Sequence, residues 1–413
     1  MKSASLTTSR PDRTTRLRVA NLAALVVVAL PASTGVFAPA RADVQIADVR
    51  DTLDTAVRGP SLINGIDDPV FDVYFADHEQ LDNNVFRIPN GTNVQTTIGP
   101  TASKEDHINS PSAGLDSQWV LGRQTVDLQL RADDNRYSRN TNLDNVSTYD
   151  KLAWNWGFGS VLSGQVGADH TRSLLSYVNA VVYNRNTYQQ TQVFAAGRYQ
   201  VGQRWALYGG ILDTNFTVED AATQENNFRR KAVDMGTELA TSPQDTFGVD
   251  YRYSDSRYPN AIQLAGSSFD PDYREDRLRF LGKRALTEKT TVDVSAGYLR
   301  REYENSLIGS FSGPIWRAAL GWQPTDKTQL VVSAYRELQS YLTDQSDYYR
   351  ATGVSIAPTW IPSEKITLAL LVSREDQSSV GSSANVQNQL ARRGTSNSQS
   401  LILTYAPLRA LTI

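Results

Sequence analysis

Along much of this chain, apolar residues fall on every second position. Phe247, Val249, Tyr251 and Tyr253 alternate with Gly248, Asp250, Arg252 and Ser254, and Leu152, Trp154, Trp156 and Phe158 with Lys151, Ala153, Asn155 and Gly157. The same rhythm sets Trp316, Ala318, Leu320 and Trp322 against Arg317, Ala319 and Gly321. It also sets Ile366, Leu368, Leu370 and Val372 against Thr367, Ala369, Leu371 and Ser373. A period of two places each apolar set on one face of a β-strand. The other face carries charge, Gly, Ser or Thr. A soluble sandwich alternates in the same way, so one strand does not select the architecture.

The connections do. Short polar segments recur at Val201-Gly202-Gln203, Ser242-Pro243-Gln244, Thr287-Glu288-Lys289, Pro324–Lys327, Pro362–Lys365 and Ala406-Pro407-Leu408, with earlier ones near Gln118 and Gly159. Between them lie longer polar stretches, such as Ala221–Arg230, Tyr258–Glu275 and Gln377–Thr395. Short turns at one end and long loops at the other mark an up-and-down transmembrane β-barrel. The repeat of about 40 residues would also suit a propeller blade, but each repeat resolves into two long strands and carries no blade motif. The expected fold is therefore all-β, an antiparallel barrel over 69–413 with sixteen strands complete by Tyr405. Leu411-Thr412-Ile413 looks like the opening of a seventeenth. Bacterial barrels carry an even number and must close every edge in lipid. We therefore expect eighteen strands in the full-length protein and a barrel that is incomplete at this C-terminus. On that count the first strand, near Phe71–Phe75, lacks its closing partner.

The N-terminus supplies a compartment. Arg10, Arg13, Arg16 and Arg18 precede the apolar run Leu22–Leu30, and Ala40-Arg41-Ala42 offers a small-residue cleavage site before Asp43. This reads as a Sec-type signal peptide over 1–42, without a twin-arginine pair. The apolar run is too short to be a membrane anchor. Residues 43–68 form a polar N-terminal segment, a periplasmic lead-in or a plug. Composition agrees with a barrel: mean hydropathy is -0.41 and no run beyond the leader approaches the roughly 20 apolar residues of a spanning helix. A net charge of -3 with no Lys/Arg block argues against nucleic acid as a partner. With no Cys, disulfides and thiol chemistry are excluded.

Candidate chemistry is sparse. The chain has three His (His78, His107 and His170). Asp169-His170 with a distant Ser is a weak nucleophile arrangement, better read as a polar strand-end or lumen histidine. Asp133-Asp134-Asn135 and Asp270-Pro271-Asp272 offer oxygens of the kind Ca²⁺ takes, but solvated loop charge explains them better. No enzyme activity, metal site or cofactor is expected. The polar strand face is the working surface that remains. Arg252, Arg277, Arg279, Lys283, Arg317, Asp250 and Asp293 all have lumen parity. Such groups bind hydroxyls and carboxylates of a glycan through charge-assisted bonds, or else brace the wall as Arg–Asp pairs.

Asp82-Asn83-Asn84-Val85-Phe86-Arg87 resembles the Asp-x-Asn-Leu-Phe-Arg motif near the start of EpsL-type proteins, with Val85 in place of Leu. Gly122-Arg123-Gln124, Trp154–Gly157, Trp322–Thr328 and Ala334–Glu337 are similar to the same family. Asp82, Asn84, Phe86 and Arg87 are the motif positions carried over. The resemblance implies an outer-membrane barrel of exopolysaccharide biosynthesis operons, often associated with exosortase systems. The expected partners are outer-membrane lipid, exopolysaccharide and periplasmic components of the export system. A passive exit conduit, porin-like and cofactor-free, is the expected function. The alternative is a structural, matrix-scaffolding protein of the biofilm surface with a closed or plugged lumen.

Overall fold

The computed structural model describes residues 18–27, 70–88, 91–175, 177, 183–260, 262–264, 267–304, 309–340, 348–363, 366–379 and 393–405. Its first element is a strand, β1 (Arg18–Val27). Nine long strands follow: β2 (Val70–Asp82), β3 (Asp106–Leu121), β4 (Gln124–Tyr137), β5 (Asn145–Phe158), β6 (Leu162–Leu174), β7 (Thr187–Val201), β8 (Trp205–Val218), β9 (Phe228–Ala240) and β10 (Thr246–Arg257). A small hairpin, β11 (Ile262–Leu264) with β12 (Ser267–Phe269), interrupts the series. Seven more long strands complete it: β13 (Tyr273–Thr287), β14 (Thr290–Tyr303), β15 (Phe311–Thr325), β16 (Thr328–Ser340), β17 (Tyr348–Ser363), β18 (Ile366–Ser379) and β19 (Arg393–Tyr405). From β2 to β19 each long strand pairs antiparallel with the next, giving the expected sixteen-strand up-and-down sheet.

Alternation decides which face meets lipid. On β13, Leu278 and Phe280 point outward with 45% and 62% of their surface exposed, while Arg277 is buried inside and Arg279, between the two, points inward and is largely covered. The same parity exposes Leu152 and Trp154 on β5 around a buried Ala153, and Val193 on β7 between the buried Gln192 and Phe194. Neighbours in register share a face, so the exposed apolar side chains join into a continuous belt. In water such a surface would aggregate; in a bilayer it is the required one. Trp119, Trp205, Trp322 and Trp360 stand exposed near the short-turn ends of their strands, where an aromatic girdle marks a membrane interface. Among the described residues, no helix is long and apolar enough to cross a membrane.

The turns follow their residues. Gly122, Gly159 and Gly202 take positive φ at the tightest connections, a backbone region that costs other residues 1–2 kcal/mol or so. Within the wall, glycine makes room for rings. Tyr335 crosses the bare backbone of Gly353 so that its hydroxyl donates to Glu375, two strands away. Tyr208 lies over Gly236 and Trp156 over Gly164 in the same fashion. Aromatic cover of a strand glycine restores packing that the missing side chain would forfeit.

The seam expected between the first and last of the sixteen strands is occupied by β1. It runs parallel to β2 from Arg18 to Val26 and meets β19 antiparallel at Val26 and Val27. This segment includes part of the apolar run read as the signal-peptide core. The polar segment 43–68 and the C-terminal stretch 406–413, with the seventeenth-strand opening, lie outside the described residues.

At the long-loop end the rim is tied together by the Asp82–Arg87 motif. The Arg87 fork donates to both oxygens of Asp82, at 2.8 and 2.7 Å. Asn84 donates to the carbonyl of Ile88 and accepts from its N–H, at 2.9 and 3.1 Å. Together these hold Arg87 at φ 53, where a non-glycine residue needs such support. Phe86 is then buried against Tyr177 and Tyr183 of the loop after β6, in a cluster with Val85, Ile88, Val94 and Leu143. Burial pushes the Tyr177 phenol above its ordinary range. Asp106 closes the knot by accepting from the N–H groups of Arg139 and Asn140 at 2.9 and 2.8 Å.

Candidate functional site

The inner wall from β9 to β14 is a sheet of cross-strand ion pairs. Strand register sets Asp234 on β9 beside Arg252 on β10, which in turn stands opposite Arg277 on β13. Arg252 Nε donates to Asp234 at 2.7 and 2.9 Å, and Arg277 Nη2 reaches the same carboxylate at 4.0 Å. One step toward the short turns, Asp250 accepts from Arg279 Nε at 3.0 Å. One step toward the loops, Glu275 accepts from Arg301 Nε and Nη2 at 3.0 and 2.7 Å. At that level Arg301 lies 4.2 Å from the centroid of Tyr273. Arg230 donates to Ser256 at 3.0 Å and to the Tyr273 hydroxyl, and packs on Phe228.

These groups are buried, so their pairing is obligatory. An unpaired charge in low dielectric costs several kcal/mol, whereas a guanidinium in fork geometry recovers much of it through hydrogen bonds. Arginine suits the task because its planar donors reach two acceptors at once and its face stacks on rings. Around the rim of this patch runs a chain of aromatic contacts, Tyr188–Phe216–Phe228–Tyr258–Tyr273–Tyr303, with centroids 5.1 to 6.3 Å apart.

The residues expected on the lumen face from sequence all have that parity, but they divide into two sets. Asp250, Arg252, Arg277 and Arg279 belong to the buried network. Lys283 and Asp293 are exposed cross-strand neighbours nearer the short turns, and Arg317 is half exposed, donating to Glu337 at 3.2 Å. Sequence reading missed Arg230, Asp234, Glu275 and Arg301. All four sit at lumen parity, so extending the alternation through β9 and β14 would have found them.

Other candidates are separated by the pleat. Asp169 is buried inward, whereas His170 has outward parity and sits 2.9 Å from the Thr191 hydroxyl. The lumen-histidine reading is thereby corrected, and the two side chains do not act together. Asp133 pairs inward with Arg131 at 2.7 Å, and Asp134 outward with Arg136 at 2.9 Å, so they share no ligand position. Asp272 accepts from the Tyr258 N–H and from Arg257, at 2.7 and 3.1 Å. Among the described residues no group of acidic or His side chains is placed to hold a metal ion. The motif residues Asp82, Asn84, Phe86 and Arg87 form the rim knot and stand apart from the ion-pair patch.

Residues 281–357 match the family model described as "Putative beta-barrel porin 2". No curated protein sequence matches the chain. Among solved structures, the alcaligin outer membrane receptor FauA from Bordetella pertussis superposes over 73% of this chain and 56% of its own, at 13% identity and a TM-score of 0.41. The chain thus spans little more than half of that receptor's length. A bacterial polysaccharide outer membrane secretin aligns over 75% and 94% of the two chains, at 9% identity and TM-score 0.38. OmpT, an outer membrane protein of Vibrio cholerae, aligns over 84% and 99%, at 10% identity and TM-score 0.42. The strand registers and the apolar belt, with the porin-type match, describe a porin-like outer-membrane β-barrel.

Proposed function

We propose that this barrel is a passive outer-membrane exit conduit for an exopolysaccharide. The observation that carries the reading is the division of faces: an apolar belt outside and, inside, charged and hydrogen-bonding side chains such as Asp234, Arg252 and Arg277, interleaved with the buried apolar cluster of Phe194, Leu212 and Ala232. A sixteen-strand wall encloses an aqueous channel unless something fills it. The porin-type match supports a channel. The likeness of residues 82–87 to EpsL-type proteins supports a polysaccharide as cargo, with outer-membrane lipid and periplasmic export components as neighbours. Flow through such a wall needs no cofactor, since hydroxyl-rich chains exchange one set of hydrogen bonds for another.

A second reading is a surface scaffold with a closed lumen. It is favoured by the dense packing of the inner wall from β7 to β14, where Gln192, Thr214, Ser256 and Arg277 are almost fully buried. Planar-bilayer recording of the full chain separates the two, combined with polymer secretion by cells from which the gene is deleted. The conduit reading expects discrete conductance steps and polymer retained in the periplasm. A non-conducting protein whose loss leaves secretion intact but alters the surface matrix would replace it with the scaffold.

A further inference from the structure

The outer face carries charges too, gathered above the apolar belt at the long-loop end. From β4 to β14 each strand arginine among them has an acidic partner. Arg136 meets Asp134, Arg229 meets Asp213 and Arg274 meets Glu304, at 2.9, 2.5 and 3.0 Å. Arg172, Arg257 and Arg300 are paired in the same way. The strands β16–β18 differ. Arg336, in register with the exposed Trp316 and Thr352, has outward parity, as do Arg374 beside the exposed Val354 and Arg350 two residues above Thr352. Against these three guanidiniums stands one carboxylate, Asp376, which accepts from Thr395 at 2.7 Å and Arg374 at 3.4 Å. Glu337 and Glu375 of the same strands have lumen parity and accept from Arg317 and Tyr335 inside. The stretches 341–347 and 380–393 add Asp344 and Asp347 but also Arg392 and Arg393, so the cationic excess stands. Among the described residues Arg336 and Arg350 make no ion pair, and Arg336 Nε is buried without a hydrogen-bond partner. Arg350, Thr352, Asp376, Ser378 and Thr395 line much of an open cleft of about 440 Å³ on this face.

The depth of the patch identifies its neighbour. Trp360, in the short-turn girdle, lies ten residues below Arg350 on β17. At about 3.4 Å per residue and a tilt of about 40°, that is roughly 25 Å along the membrane normal, the height of the apolar band. Arg350 therefore stands at the outer headgroup level. Arg336 and Arg374 start lower and extend their long side chains up toward it. We infer that Arg336, Arg350 and Arg374 form a binding site for the phosphate groups of a glycolipid in the outer leaflet, with its acyl chains on the apolar rows below, such as Val354, Ile356 and Val372. This goes beyond the conduit reading and holds whatever the lumen carries, since it requires only a barrel with its long loops outside. Guanidinium forks match phosphate oxygens in pairs, and an open donor such as Arg336 Nε is costly until an anion fills it. The three guanidiniums span two strand spacings, about 10 Å. That reach suits two phosphates on one sugar headgroup better than the single phosphate of a phospholipid.

The test uses the full chain folded in detergent and titrated with diphosphoryl lipid A, with phosphatidylglycerol as the singly charged lipid and inorganic phosphate as the free anion. Native mass spectrometry counts the lipid retained. The diphosphoryl glycolipid should bind at least tenfold more tightly than phosphatidylglycerol, and inorganic phosphate at equal concentration should not displace it. Arg336→Gln, Arg350→Gln and Arg374→Gln together should weaken it tenfold or more. Arg136→Gln, Arg229→Gln and Arg300→Gln together change the net charge equally and should shift binding less than twofold. Asp376→Asn removes the one acid, leaves every guanidinium in place and should tighten binding, a readout that stands even if the triple variant fails to fold. Equal losses from the two triple variants, or no gain from Asp376→Asn, would overturn the site. Equal affinity for phosphatidylglycerol would overturn the glycolipid. Displacement by inorganic phosphate would leave a free-anion site and overturn the lipid.

Discussion

The Glu275–Arg301 pair is the sharpest test of how dry the inner wall is. Both side chains are nearly inaccessible, at 7% and 2% of their surface, and two hydrogen bonds of 3.0 and 2.7 Å join them beside the Tyr273 ring. Glu275→Gln keeps the shape and removes the charge, leaving Arg301 with a weaker acceptor and an aromatic face. Breaking a buried pair in this way costs about 3–5 kcal/mol, whereas a solvated pair is worth at most about 1 kcal/mol. Arg301 keeps its Tyr273 face in both forms and the glutamine still accepts a hydrogen bond from it, which holds the loss toward the lower end of that range. We therefore expect a net cost of roughly 2–4 kcal/mol in reversible urea unfolding from lipid vesicles, with the slope unchanged. The double change Glu275→Leu with Arg301→Met should recover most of it, since replacing both charges by apolar groups is often neutral. A single-variant cost below about 1 kcal/mol, with no recovery in the double variant, would mean that water reaches this level of the wall and the burial argument is wrong.

Other perturbations probe other parts. Phe280→Arg places a guanidinium on the lipid face and should cost about 2–4 kcal/mol, measured by folding into vesicles. Charge at the neighbouring lumen position, Leu281→Arg, should cost far less. Arg87→Met leaves Asp82 buried without its fork. It should loosen the first long loop, visible as new protease cleavage within residues 83–105 while the barrel still migrates as a folded band. Gly353→Ala pushes a methyl group into the Tyr335 ring and should destabilise by about 1–3 kcal/mol as the Tyr335–Glu375 bond is displaced. Tyr335→Phe combined with it should add little, because the same interaction is already lost.

Much of this structure is written in the alternation. The period-two pattern identified the strands and the lipid face, because a one-residue slip would move every apolar side chain to the wrong side. The count of sixteen strands by Tyr405 matches the ladder, whose last strand ends there. Turn positions were legible where Pro, Gly and charged residues cluster. Extrapolating the repeat puts the first near Gln118, whereas the chain reverses at Gly122-Arg123, because β3 runs on through the apolar Trp119, Val120 and Leu121. The loop between Leu174 and Thr187 escaped notice because Leu175, Tyr177 and Tyr183 are apolar. Tyr177 and Tyr183 cover Phe86, a contact between segments roughly 90 residues apart that no local pattern encodes. For the same reason the sequence names the lumen charges without dividing them into a buried network and an exposed flank. That division depends on which neighbour strand register supplies.

The central claim is that alternate residues of each strand face lipid and an aqueous interior. The chain has no native cysteine, so single cysteines can be introduced along β13 from Tyr273 to Thr287 and challenged with a water-soluble maleimide in reconstituted vesicles. At membrane depth the account predicts labelling at lumen-parity positions such as Arg279 and Lys283, strongest at the exposed Lys283, and protection at Leu278 and Phe280. Uniform labelling, or labelling at 278 and 280 with protection at 279 and 283, would contradict the barrel and its faces together.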